Sequence, residues 1–130
     1  MTVLSQKKIN DTFNLAQKAR IDIIKMINNG GSAHVGSALS IVDLLSVIYS
    51  HWIPNKSATK NHKFILSKGH GALGYFSVLE AFGFIDSIDT SGFEKNGSNI
   101  FAHAHKNLSQ GIEYSGGSLG LGSSFGVGVA

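Results

Sequence analysis

The stretch Lys63-Phe64-Ile65-Leu66-Ser67-Lys68-Gly69-His70-Gly71, followed by Leu73, Phe76, Val78, Leu79 and Phe82 at helical spacing, decides how this chain is read. Lys63 to Ser67 is a short apolar run bounded by polar residues, the pattern of a buried strand in a parallel sheet. The helical pattern behind it is ended by Gly83. Strand, glycine loop and helix in that order let backbone N–H groups at a helix start face an anion, and glycines let the backbone come close to a bulky one. His70 would lie at that mouth, between two residues that cannot shield it. Such a loop has few structural reasons to hold an imidazole.

Working towards the N-terminus, residues 5 to 28 read as an amphipathic helix. Ile9, Phe13, Ala16, Ile23, Ile24 and Ile27 recur at helical spacing, with Lys7, Lys8, Lys18 and Lys25 largely on other faces. Asn28-Asn29-Gly30-Gly31 is a stop, since Asn and Gly accept the left-handed conformation of a helix C-cap. A small-residue loop, Ser32-Ala33-His34-Val35-Gly36, comes next and leaves His34 accessible. A second helix is expected from Ser40, as N-cap, through Ile41, Leu44, Leu45, Val47, Ile48 and Trp52, with Pro54 and Asn55 ending it.

Working towards the C-terminus, residues 86 to 97 read as a loop with a short helix, and 97 to 115 as an ordered irregular loop. That loop carries Phe101-Ala102-His103-Ala104-His105. The stretch Gly116-Gly117-Ser118-Leu119-Gly120-Leu121-Gly122 then opens a glycine-rich helix reaching Ala130. Glycine costs about 1 kcal/mol against alanine in an exposed helix, so this many imply close packing against a ligand or another helix. No capping glycine or polar tail follows Val129-Ala130, and only one strand is read along the chain. The expectation is an α/β chain, mostly helical. Residues 1–130 would form the front part of a larger domain with a parallel sheet flanked by helices, without a second domain or an internal repeat.

Composition narrows the function classes. The chain has 130 residues, 42% of them hydrophobic and 15% charged, which describes a globular protein with part of its surface suited to burial. A net charge of +3, scattered along the chain, lacks the clustered basic stripe that nucleic acid requires but is compatible with small anions. With no cysteine, disulfides and thiolate metal sites are excluded. No apolar run approaches the roughly 20 residues of a membrane span, and the first eight residues lack the order of a secretory signal. A cytoplasmic location is the default.

Single histidines also have plain structural accounts. His34 alone would serve as a loop residue bonded to backbone. His105 could share a side with His103 and pair with it on a transition metal, a reading disfavoured by the lack of a nearby carboxylate or cysteine. His51 and His62 read as solvated, and Trp52 and Phe82 as core. Lys68 serves equally as an anion contact or as a surface lysine.

Taken in order, Ser-Ala-His-Val-Gly, Leu-Ser-Lys-Gly-His-Gly, Gly-Ser…His and Gly-Ser-Leu-Gly-x-Gly resemble the N-terminal, thiamine-diphosphate-binding section of transketolase. The split bacterial type, whose N-terminal section is a separate subunit, is the nearest likeness, over essentially the whole chain. Leu39-Ser40-Ile41-Val42-Asp43-Leu44-Leu45 and Phe64 to Gly71 carry it most strongly. The resemblance implies a two-carbon ketol transfer between sugar phosphates, in the pentose phosphate pathway. It assigns His34 to substrate hydroxyls, and His70 to catalysis and to the cofactor diphosphate. His103 would handle protons and contact substrate, while Gly117, Ser118, Leu119 and Gly120 wrap the cofactor. Neutral histidines near physiological pH suit such proton traffic.

The same resemblance implies thiamine diphosphate and Mg²⁺ as cofactors. Its implied partner is a C-terminal transketolase subunit, in a homo- or hetero-oligomer. Three departures stand out. Ala104 replaces a proline, Val35 stands where proline or isoleucine is common, and Leu121 replaces a glutamine or histidine. The family's Gly-Asp-Gly…Asn metal motif has no counterpart, because Asp11, Asp22, Asp43, Asp86 and Asp89 are not flanked by glycines. No residue of this chain is therefore assigned to Mg²⁺, which takes oxygen ligands, and the chain alone is expected to be inactive. Two other readings stay open. One is a non-catalytic remnant or interaction module of the same fold; the other is a related thiamine enzyme such as a deoxyxylulose-phosphate synthase.

Overall fold

The structure is a computed structural model and describes residues 5–30 and 33–130. Gly31 and Ser32, parts of the expected helix stop and of the first histidine frame, lie outside the described residues, as does the start of the N-terminal segment. Five α-helices are present among the described residues: α1 (Gln6–Gly30), α2 (Val35–Leu39), α3 (Val42–His51), α4 (Ala72–Ala81) and α5 (Leu121–Val129).

Helix α4 organises the rest. Every residue from Ala72 to Leu79 is buried, so the helix has no solvated face and must be enclosed by other elements. Helix α1 covers it with Ala16, Ala19, Ile23 and Met26, whose spacing of three and four keeps them on one stripe. The alanines in that stripe let the two helices approach. Helix α3 closes another side with Val42, Leu45 and Tyr49. Phe84, Ile85, Phe93 and Ile100, from the segment after α4, complete the core. Ion pairs tie the outer helices together: Lys18 of α1 meets Glu80 of α4, and Arg20 meets Asp43 of α3 at 2.6 Å.

Several expectations need correction. The buried stripe of α1 is 16/19/23/26, whereas Ile9, Phe13 and Ile24 are about half exposed. Ile9 and Phe13 instead line an apolar groove with Val47 of α3. The helix expected from Ser40 to Trp52 is the single helix α3, and the small-residue loop expected before it contains a further short helix, α2. Ser40 ends α2, with its hydroxyl donating to Ser37 O at 3.0 Å, and Ile41 rather than Ser40 precedes α3. Trp52, expected in the core, is 53% exposed. Asn55 starts a 3₁₀ turn over Lys56–Lys60 by accepting from the Ser57 and Ala58 amides. The short helix expected within 86–97 is replaced by turns, where Asp89 accepts from the Ser91 amide and hydroxyl.

The expected sheet is not seen among the described residues. Residues 62–68 carry no strand, and the one β-bridge there is, Asn107 with Ile112, is antiparallel. A strand needs a neighbouring backbone to complete its ladder. Here that neighbour is the glycine segment 116–122, which makes isolated contacts with Ser67 instead of a ladder. The end of α4 does follow expectation, with Gly83 at φ +76° and the Phe84 amide turning back to Leu79 O.

Two buried phenols connect this core to the loop carrying His103. Tyr49 Oη lies 3.1 Å from Tyr75 Oη, and Tyr75 donates to Gly111 O at 3.3 Å. Burial pushes Tyr75 up to about 12 and raises Tyr49 as well, the latter reinforced by Tyr75 itself. The unfolded chain releases these protons near the ordinary tyrosine value of about 10, while the folded chain holds them. The stabilisation is therefore complete below about pH 10 and is lost as pH rises towards 12. Thermal unfolding followed by circular dichroism should show a midpoint that falls over that alkaline window, and Tyr49→Phe should make the fall shallower.

Candidate functional site

His34 and His70 are brought together by two helices that meet without side chains between them. His34 occupies the position before α2, and His70 sits in the 3₁₀ turn Gly69–Gly71 that runs into α4. A Cβ at Gly74 would lie 2.5 Å from Ala38 O, and one at Gly71 would strike Ile41. Because neither glycine carries a Cβ, α2 lies directly against the start of α4. The two imidazole centroids end 4.4 Å apart, inclined by 75°.

His103 completes the group from the long loop, with centroids 5.4 Å from His70 and 6.2 Å from His34. Each of the three rings offers a nitrogen, and those nitrogens all lie within 4.8 Å of one another. The third ring is positioned by Gly69, where a Cβ would come within 2.9 Å of His103 Cδ2 and 3.2 Å of both Gly116 O and Gly117 Cα. The loop around it is braced by backbone bonds: Ala102 N donates to Glu94 Oε1, Lys106 N to Ser115 Oγ, and Gly116 N to Ala104 O. Glu94 thus serves the backbone and does not join the imidazoles. His34 is exposed, and His70 and His103 are half-buried.

The glycine-rich stretch lies against this group. Gly122 packs on Ser67, with its amide donating to Ser67 Oγ at 3.1 Å. Gly120 adopts φ +86°, a conformation that favours glycine, and opens α5. Nothing lies within 4 Å of the Cβ positions of Gly117 and Gly120, and Ser118 and Leu119 are exposed. Residues 117–121 therefore present open backbone at the start of a nine-residue helix, beside His103. That is a cradle an extra Cβ would narrow, and it suits an anionic group approaching the backbone.

The backbone at Gly69–Gly71, expected to be open to an anion, is enclosed. Both glycines are buried, and Ile41 fills the space beside Gly71, so the open glycine backbone is at 117–121. Lys68 is engaged within the chain; its Nζ donates to Ser40 Oγ at 2.8 Å and to Ser37 O at 3.3 Å. His105 does not pair with His103, because it rests edge-on against Phe101. Ser67, which lies within the Leu-Ser-Lys-Gly-His-Gly motif but is given no role of its own there, receives both Gly120 N and Gly122 N. Its signal is its position next to Lys68-Gly69-His70. A cavity of about 420 Å³ between Ile85 and Gln110 holds none of the three histidines.

The chemistry of this donor set fits part of a thiamine diphosphate site. Open glycine backbone suits the diphosphate, and three imidazoles can exchange protons with hydroxyls. The set does not fit Mg²⁺, because no carboxylate joins the histidines among the described residues.

Residues 11–130 match the family described as transketolase, thiamine diphosphate binding domain. The chain is 32% identical over 119 residues to one subunit of the apulose-4-phosphate transketolase of Phocaeicola vulgatus, covering 88% of this chain and 42% of that protein. It is 31% identical over 121 residues to a transketolase of Buchnera aphidicola subsp. Baizongia pistaciae, covering 89% of this chain and 18% of the relative. A third relative is a protein named ferredoxin fas2 from Rhodococcoides fascians, 42% identical over 108 residues, 78% of this chain and 34% of that protein. This chain has no cysteine, the ligand that iron–sulfur clusters take. The chain spans less than half the length of each of these relatives.

The packing distinguishes two glycines at opposite ends of α5. Gly122→Ala drives a Cβ to 2.7 Å from Ser67 Cβ, and overpacking of this kind costs about 1–3 kcal/mol. Gly128 has open space, so Gly128→Ala should stabilise by up to about 1 kcal/mol through helix propensity. Urea unfolding of the two variants should show opposite shifts in midpoint.

Proposed function

The chain belongs to the transketolase family, in its thiamine-diphosphate-binding domain, and on that premise we propose that it supplies one wall of an enzyme that moves a two-carbon ketol unit between sugar phosphates. The observation that carries this reading is the convergence of His34, His70 and His103 beside the open backbone of residues 117–121. Thiamine diphosphate, when bound, supplies the electron sink that such a transfer requires.

This chain's residues would do the binding and the proton work. Gly117, Ser118 and Leu119 would hold the diphosphate through backbone N–H groups ahead of α5, where the helix dipole favours negative charge, and Gly120, whose own N–H is given to Ser67 O, would leave room for its approach. His70, half-buried and closest to His34, would contact the diphosphate and serve the reacting centre. His103 would accept and return the proton of a substrate hydroxyl, since an imidazole both donates and accepts at neutral pH. His34, the most exposed of the three, would bind sugar hydroxyls at the entrance. Mg²⁺ would be held by oxygen ligands other than these histidines.

A partner completes this reading. The Phocaeicola relative is named as one subunit of a transketolase, which supports a second transketolase subunit for this chain. The second subunit would supply the opposite wall and the remaining cofactor contacts. Among the described residues no helix is long and apolar enough to cross a membrane.

Reconstitution tests the proposal. With thiamine diphosphate, Mg²⁺, a ketose phosphate donor and the partner subunit, ketol transfer to an aldose phosphate should be measurable, and His103→Ala should lower kcat by about 10²–10⁴-fold. His62→Ala, on an exposed residue away from the cluster, should leave the rate unchanged. Equal activity of the His103→Ala variant and the parent would sink the assignment of proton transfer to His103. Isothermal titration that finds no cofactor binding even with the partner present would favour the non-catalytic module.

A further inference from the structure

We propose that His34, His70 and His103 together form a binding site for a borderline-soft divalent cation, Zn²⁺ in particular. The proposal stands on the geometry of the cluster and does not require the ketol-transfer reading. Three imidazoles come from three separate segments, yet the nitrogen each offers lies within 4.8 Å of the others. Zinc–nitrogen bonds of about 2.0–2.1 Å at tetrahedral angles place ligand nitrogens roughly 3.4 Å apart. Ring rotation of the exposed His34, with small shifts of the other two, closes that gap.

Ring orientation favours convergence. The three planes are inclined to one another by 68° to 75°, so the rings meet edge to face and do not stack, and their nitrogens can turn towards a common point. Two of the ligands sit on packed elements, His34 before α2 and His70 before α4, with Gly74 against Ala38 O between those helices. The third is supported from below by Gly69. Exposure of His34 leaves a fourth coordination position for water or an oxygen of a bound molecule, the three-ligand open geometry that zinc accepts.

The ligand chemistry selects the cation. Neutral imidazole suits zinc, nickel and copper, whereas Mg²⁺ and Ca²⁺ take oxygen donors. No carboxylate belongs to the cluster among the described residues, so a hard cation finds no ligand here. A cation in this position would engage the same three imidazoles that a hydroxylated substrate would meet. Zinc and substrate would then compete, and the site would respond to metal supply.

The test uses the full 130-residue chain with Zn²⁺ alone, without thiamine diphosphate, in competition with a chromophoric chelator. One equivalent should bind, and His34→Ala, His70→Ala and His103→Ala should each weaken binding by about tenfold or more. His51→Ala, His62→Ala and His105→Ala should change nothing, and millimolar Mg²⁺ should not displace the zinc. Co²⁺ in place of zinc should give the intense visible absorption of a tetrahedral centre, lost in His34→Ala. His34 is exposed, so that variant keeps the fold and remains informative if His70→Ala does not fold, as circular dichroism would show. Unchanged affinity in His34→Ala, equal weakening by His105→Ala, or displacement by Mg²⁺ would each overturn the site. Because no cofactor or partner is present, a negative result here leaves the ketol-transfer reading untouched, and the reverse also holds.

Discussion

The absence of a side chain at Gly69 and Gly74 is the constraint on which the rest of the structure depends. At Gly74 the backbone of α4 touches the carbonyl of Ala38, and at Gly69 the 3₁₀ turn before α4 touches the ring of His103 and the backbone of Gly116 and Gly117. Any Cβ in these places would hold α2, α4 and the long loop apart by the thickness of a methyl group. The three histidines would separate with them. The site is therefore set by backbone contact, with the imidazoles placed at its edges.

Burial and polarity divide the molecule in a consistent way. Helix α4 is enclosed on all sides, and its Tyr75 reaches out of the core through Gly111 O to the loop that carries His103. The same phenol meets Tyr49 of α3, so one short chain of hydrogen bonds links two helices and the functional loop. A buried hydroxyl without a partner is costly, which gives this connection a reason to persist. The functional loop has little regular structure, yet it is anchored at Ala102, Ala104, Lys106 and Gly111. Irregular backbone can hold a ring in place when its amides and carbonyls are satisfied.

Much of the candidate site is legible along the chain. His34, His70 and His103 stand in small-residue frames, and small residues mark places where backbone must come close or a ring must stay accessible. Gly117 to Gly120 form open backbone at a helix start, in keeping with their glycine content. Other features are illegible for physical reasons. Trp52 and the Ile9 and Phe13 edge of α1 resemble core because apolar periodicity reports a potential for burial, not the presence of a partner. Lys68 reads equally as an anion contact or a surface lysine because its acceptors, Ser37 O and Ser40 Oγ, are some thirty residues away in sequence.

The sequence by itself determined the family, the order of the four small-residue elements and the apolar helix after Gly71, because these are local patterns or motifs that depend only on neighbouring residues. It also determined that no thiolate chemistry is present, since the chain has no cysteine. Only the tertiary structure decided that Gly69–Gly71 is closed by Ile41 while 117–121 stays open, and that His103 joins His34 and His70 while His105 turns to Phe101. Apart from the local contact of His105 with Phe101, those outcomes depend on contacts between segments thirty or more residues apart, whose distances follow from how closely helices can pack. Composition and spacing along a chain carry no record of such distances; the missing Cβ atoms at Gly69, Gly71 and Gly74 set them.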